Sequence, residues 1–76
     1  MKLKIREIRE DKDLTQKQLA QILGTTQQTY SRYEKGEITI DIYSLVKLSE
    51  FYNTSVDYLL DLTDEIKPYK RKNYKK

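Results

Sequence analysis

Residues 24–36 read GTTQQTYSRYEKG, and this stretch decides how the chain folds. A glycine stands at each end, and these are the only two glycines in the protein. Between them, two adjacent glutamines are followed by an arginine one helical turn later. The stretch is too polar for a core helix, so it predicts a short helix that begins with exposed glutamines and stops at the second glycine.

The composition limits which functions are available. The chain has 76 residues, enough for one small domain, and seven of its hydrophobic residues are tyrosines, so the aliphatic core is thin. It has no cysteine and no histidine, which removes disulfides, thiolate metal sites and the commonest general base. We therefore expect no enzyme, no catalytic residues, no cofactor and no metal site.

The apolar residues are dispersed along the chain. The longest apolar runs are two or three residues, too short to span a membrane. The opening sequence, MKLKIREIRE, lacks the continuous apolar segment of a secretory signal. We expect a cytoplasmic protein with no membrane partner.

The net charge of +3 conceals an uneven distribution along the chain. Residues 1–35 carry a net charge of +3, residues 36–65 carry −6, and residues 66–76 carry +6. This pattern favours a protein that meets a polyanion on one side only, although ordinary surface charge is the alternative.

The apolar spacing predicts a first helix over residues 2–10 and a second one after Thr15. Thr15 stands three residues before Gln18, which is the spacing of a capping box. Gly24 ends the second helix. A third helix follows a cap at Thr26 or Thr25.

Two further helices follow the third, which ends at Gly36. The fourth is capped by Asp41 or Thr39, and Asn53 can take the left-handed conformation at its end. Ser55 caps a short fifth helix. The expected organisation is one domain over residues 1–64, then a basic, flexible tail over residues 65–76.

The second and third helices have the residue types of a helix-turn-helix unit. The segments LTQKQLAQILGTTQQTYSRYEKGE and SLVKLSEFYNTSVDYLL resemble the phage repressor and Cro-type family, also called Xre-type. Across LAQ..GTTQQ the similarity is closest to 434-type repressors. The resemblance covers residues 3–62 and implies an all-α, compact five-helix lambda-repressor-like domain. It also implies binding to double-stranded DNA as a homodimer, with the third helix in the major groove.

Within this resemblance, the start of the third helix supplies the residues that read bases. A glutamine amide pairs with adenine N7 and N6, and an arginine reaches guanine O6 and N7 or a phosphate. We therefore predict Gln27, Gln28 and Arg32 as base-reading residues. The alternative is that they are solvated polar residues near a helix cap.

Phosphate contacts are expected from the starts of the second and third helices, where backbone donors and the helix dipole favour anions. Gln16 resembles a family glutamine that contacts a phosphate and supports the first reading residue. Tyr30 is expected to place its ring in the core and its hydroxyl on a phosphate. The predicted phosphate-binding set is Thr15, Gln16, Thr26, Thr29, Tyr30 and Lys35.

The resemblance implies two structural features beyond the DNA contacts. Arg9 and Glu34 are expected to form a partly buried ion pair between the first and third helices, with a surface pair as the alternative. A dimer interface is expected around the fifth helix, unless Tyr58 and Leu62 merely complete the core. Its predicted members are Ile42, Tyr58, Leu59 and Leu62.

The function predicted from the sequence is a transcriptional regulator, a repressor that reads an inverted-repeat operator. The alternative is the antitoxin of a toxin–antitoxin pair, which binds a protein partner as well as DNA. For the basic tail the sequence leaves two interpretations: an arm that attracts phosphates, or a segment that aids solubility.

Overall fold

The computed structural model describes residues 3–68, and five α-helices lie in this part of the chain. Helix α1 spans Ile5–Asp11, α2 Gln16–Leu23, α3 Gln27–Lys35, α4 Ile42–Phe51 and α5 Val56–Leu59. No strand occurs among the described residues. The predicted all-α, five-helix fold is confirmed.

Four of the five helices begin at a side-chain cap. Thr15 accepts a hydrogen bond from the backbone N–H of Gln18, and the Gln18 side chain accepts the N–H of Thr15 at 2.8 Å, which completes a capping box. Thr26, Asp41 and Ser55 each accept a hydrogen bond from the backbone N–H three residues later. Where the sequence left a choice, the caps are therefore Thr26 and Asp41.

All five helices end in the same hydrogen-bonded turn. A residue with φ between 53° and 74° donates its N–H to the carbonyl three positions earlier. The next residue donates to the carbonyl five positions earlier, which is the Schellman arrangement. The residues at the left-handed position are Asp13, Gly24, Gly36, Asn53 and Asp61.

Helix α1 begins later than the sequence predicted. The predicted helix covered residues 2–10, whereas α1 begins at Ile5. The backbone N–H of Lys4 donates to the carbonyl of Leu59 at 2.9 Å, so this part of the chain pairs with the end of α5. Lys4 is thereby attached to the last helix, and α1 starts one residue further on.

The core is formed by side chains from all five helices. Ala20 on α2 is buried beneath α3, where a small side chain lets the two helices approach closely. Tyr30 is fully buried and Tyr33 packs against the core, so both attach α3 to the rest of the domain. Within α3 their rings meet edge to face, with centroids 6.4 Å apart. The buried apolar set is Ile5, Ile8, Leu19, Ala20, Tyr30, Leu45, Leu48, Tyr52 and Leu59.

The segment after α5 returns to the junction between α4 and α5. The hydroxyl of the fully buried Thr54 donates to the backbone carbonyl of Ile66. Most of the predicted tail, from residue 69 onwards, lies outside the described residues. None of the helices within residues 3–68 combines the length and apolar character that crossing a membrane requires.

Candidate nucleic-acid interface

The start of α3 presents two glutamines to solvent. Gln27 and Gln28 are the first two residues of α3, directly after the Thr26 cap, and both are exposed. Arg32 is exposed one turn later, with its Nε 3.9 Å from Glu37 Oε1. Because Gln28 and Arg32 are four residues apart, they lie on the side of α3 opposite the buried ring of Tyr30.

The predicted phosphate-binding residues occupy three places around this helix. Thr15 is exposed at the start of α2, and Gln16, the first residue of α2, is half-buried. Thr26 and Thr29 lie at the start of α3, with their hydroxyl oxygens 3.0 Å apart. Lys35 is exposed in the last turn of α3. These side chains therefore flank both ends of α3.

An ion pair fixes α3 to α1. Arg9 Nε donates to Glu34 Oε2 at 2.7 Å, and Arg9 Nη2 donates to Glu34 Oε1 at 3.2 Å. The two side chains are only 12% and 3% exposed. Arg9 Nη1 also donates to the carbonyl of Leu14 at 2.8 Å, and Gln16 Nε2 donates to Glu34 Oε1 at 3.0 Å. The Arg9–Glu34 pair thus joins α1, the α1–α2 turn, α2 and α3.

The environment keeps both members of this pair charged. Burial acts to raise the pKa of Glu34, but the hydrogen bonds from Arg9 and Gln16 outweigh it, and the pKa lies below its ordinary value. The bond to Glu34 raises the pKa of Arg9 in spite of burial. The ion pair is therefore retained at neutral pH.

The hydroxyl of Tyr30 does not lie at the surface, as the sequence predicted it would. Its side chain is fully buried, and its hydroxyl lies inside the molecule beside the Glu34 carboxylate. Burial raises the pKa of Tyr30 far above its ordinary value, so the hydroxyl stays protonated. An interior hydroxyl cannot contact a phosphate on the surface, and we withdraw Tyr30 from the phosphate-binding set.

The predicted dimer residues fall into three environments. Leu59 is fully buried in the core, so its side chain cannot contact a second subunit, and we withdraw it from the interface. Tyr58 is half-buried beneath Lys4. Ile42 and Leu62 are 69% and 64% exposed, which is unusual for large apolar side chains.

The sequence prediction did not name two exposed side chains that lie beside the turn between α2 and α3. Tyr43 and Lys47 lie one turn apart on α4, and both are exposed. They line a surface depression together with Gly24 and Thr25 of that turn. The available signal was the i, i+4 spacing of Tyr43 and Lys47, which leaves Leu45 and Leu48 to face the core.

These features define the class of protein. A helix, a turn at a left-handed glycine, and a second helix with polar side chains displayed at its start make a helix-turn-helix domain. Residues 5–59 match the helix-turn-helix family, so the chain belongs to that family.

The relatives that match the chain carry names of gene regulators. The chain is 38% identical over 73 residues to the HTH-type transcriptional regulator YobD of Bacillus subtilis, covering 95% of this chain and 65% of the relative. It is 35% identical over 57 residues to the transcriptional repressor RstR of the cryptic phage CTXphi from Vibrio cholerae, covering 75% and 51%. It is 39% identical over 57 residues to the HTH-type transcriptional regulator ImmR of B. subtilis, covering 75% and 45%.

The chain spans about half to two thirds of the length of these relatives. No solved structure matches the chain significantly.

Proposed function

We propose that the protein is a sequence-specific, double-stranded DNA-binding transcriptional regulator of the cytoplasm, acting as a repressor. The observation that carries this proposal is the display of Gln27 and Gln28 at the capped start of α3, a helix held rigidly by a buried ion pair. The regulator names of the relatives support it.

The proposed reading mechanism follows from hydrogen-bonding chemistry. A glutamine amide offers a donor and an acceptor in one plane, which matches the N6 and N7 groups of adenine in the major groove. Arg32, on the same side of α3 as Gln28, would donate to O6 and N7 of guanine or to a phosphate. Each good bidentate pair contributes about 1–3 kcal/mol of discrimination against a wrong base.

The backbone of the duplex would be held on both sides of α3. Thr15, Gln16, Thr26 and Thr29 offer donors at the helix starts, where the unpaired backbone N–H groups also favour anions. Lys35 adds a positive charge at the far end of α3. Such contacts fix orientation and carry no sequence information.

Selectivity would require two copies of the domain. A single reading helix contacts about four to six base pairs, too few to single out one site in a genome. Ile42 and Leu62, which are exposed, and Tyr58, which is half-buried, are the apolar side chains that remain available for a homodimer contact. A two-fold dimer implies an inverted-repeat operator with half-sites about one helical turn apart.

The antitoxin alternative would place a different protein against these apolar side chains. A second polypeptide that co-purifies in fixed proportion would favour this alternative. A single species with twice the chain mass would favour the homodimer.

The experiment that tests the proposal is selection of bound duplexes from a random pool. We expect a palindromic consensus for the wild type, and Gln28→Ala should relax the preference at one position in each half-site. Gln21→Ala is the matched control, since Gln21 is an exposed glutamine on α2 outside the proposed interface. If the consensus stayed unchanged after Gln27, Gln28 and Arg32 were replaced together, these residues would not be the ones that read bases.

A further inference from the structure

Gln16 is held by a bond that crosses from α2 to α3. Its Nε2 donates to Glu34 Oε1 at 3.0 Å, although the two residues are 18 positions apart in the sequence. Gln16 is the first residue of α2, one of the places where we propose a phosphate contact. Its side chain therefore has a hydrogen-bond partner on α3 in the absence of DNA.

The acceptor of this bond is itself buried and held by other contacts. Glu34 is almost fully excluded from solvent, and Arg9 holds both of its oxygens. Arg9 is in turn anchored on the carbonyl of Leu14 in the α1–α2 turn. The orientation of the Gln16 amide is thus fixed through two consecutive charge-assisted contacts.

The Gln16 amide retains hydrogen-bonding capacity after this contact. A carboxamide has two N–H groups, and the bond to Glu34 occupies one of them. The second N–H remains for an outside acceptor. The backbone N–H of Gln16, in the first turn of α2, has no acceptor within its own helix. A phosphate oxygen needs donors of this kind.

A carboxylate near this position would ordinarily repel phosphate. The bidentate contact with Arg9 offsets the charge of Glu34, because the pair as a whole is neutral. Glu34 can therefore orient Gln16 without presenting an uncompensated negative charge to the duplex.

We propose that Glu34 is the positioning residue for the phosphate contact of Gln16, and that Arg9 makes this role compatible with DNA. This inference rests on the proposed DNA-binding function and assigns a second role to a pair that otherwise only holds α3. It predicts that Glu34 influences one phosphate contact per half-site through Gln16.

The test is a double-mutant cycle measured on the selected operator. Gln16→Ala should weaken binding at least fivefold and abolish ethylation interference at one phosphate per half-site. Glu34→Gln should weaken binding severalfold in the wild-type background and less than twofold in the Gln16→Ala background. Gln21→Ala serves as the control partner, and in that background the effect of Glu34→Gln should be undiminished.

Glu34→Gln strands the Arg9 charge and risks unfolding the domain. A second variant therefore replaces both partners, Arg9→Met with Glu34→Leu, which removes the acceptor without leaving a buried charge. We expect this variant to fold and to lose the same phosphate interference. Intact interference in this variant, or equal effects of Glu34→Gln in all backgrounds, would overturn the inference. If the wild type bound no duplex at low salt, the proposed function itself would fail.

Discussion

The ammonium group of Lys4 lies over the ring of Tyr58, with Nζ 4.5 Å from the ring centre. The same nitrogen lies 3.2 Å from Asp61 Oδ1 and 3.7 Å from Asp64 Oδ1. Lys4 therefore connects the start of α1 to the end of α5 through three contacts of its side chain and one hydrogen bond of its backbone.

Replacing this ammonium should loosen the end of α5. Lys4→Met keeps most of the aliphatic stem but loses the cation–π contact and both ion pairs, so we expect a lower melting temperature. The loss should shrink in high salt, which screens the wild-type contacts. Arg6→Met is the control, because Arg6 forms an exposed pair with Glu10 within one helix. Equal changes in the two variants would contradict a special role for Lys4.

Substitution of Lys35 should affect all DNA sequences alike. Lys35 is exposed at the end of α3, where it can contribute charge without reading bases. We expect Lys35→Ala to weaken specific and non-specific duplexes by similar factors and to reduce the slope of log K against log salt by about one. Titrations at several salt concentrations measure this slope. A change in the consensus would show that Lys35 contacts bases.

An acidic residue at position 62 should separate dimerisation from folding. Leu62 is largely exposed, so Leu62→Glu should change the free energy of unfolding by no more than about 0.5 kcal/mol. If Leu62 lies at the dimer interface, the substitution should raise the dissociation constant of the dimer, which sedimentation equilibrium measures. Binding to an isolated half-site should persist. Thr39→Glu adds the same charge at another exposed position, and it should leave the dimer intact.

The stability of the domain should fall in acid because of Glu34. Its folded-state pKa lies below the ordinary value of 4.5, so the carboxylate contributes stability above that value and loses it as the pH falls towards the folded pKa. Urea denaturation between about pH 6 and about pH 3 measures the slope. Asp41, whose pKa is lowered by its bonds with Ser44, adds to the wild-type slope. The difference between wild type and Glu34→Gln isolates Glu34, and parallel curves would contradict the prediction.

Glycine at position 13 should stabilise the protein. Asp13 has a φ of 56°, a conformation that costs energy for residues with a Cβ atom. We expect Asp13→Gly to raise the free energy of unfolding by up to about 1 kcal/mol. Asp11→Gly is the control: Asp11 is the last residue of α1, where glycine should destabilise by up to about 1 kcal/mol. Shifts of the same sign in both variants would show that backbone conformation is not the cause.

The features that the sequence predicted well depend on local chemistry. Thr15, Thr26, Asp41 and Ser55 cap helices because a side-chain oxygen meets a backbone N–H three residues away, and residue type and spacing suffice to recognise this. The helix end at Gly24 was predictable from residue type too, because glycine has no Cβ and readily adopts a positive φ. The left-handed positions of Asp13 and Asp61 were missed because aspartate is common in many other local structures.

The features that could not be predicted from the sequence depend on how the helices pack around a residue. The hydroxyl of Tyr30 was expected at the surface, but its side chain is enclosed by the other helices of the core. Leu59 is interior for the same reason. The bond from Gln16 to Glu34 joins positions far apart in the chain, and no spacing rule predicts it. The Arg9–Glu34 contact was anticipated only through a family resemblance.

The Schellman turns also have a consequence for how quickly the chain reaches its native state. Each of the five helix ends is closed by hydrogen bonds between residues at most five positions apart. Such turns can form without contacts between distant parts of the chain. Small helical domains rich in short-range contacts fold in about microseconds to milliseconds. A newly synthesised chain would therefore fold within a small fraction of the time that its translation takes.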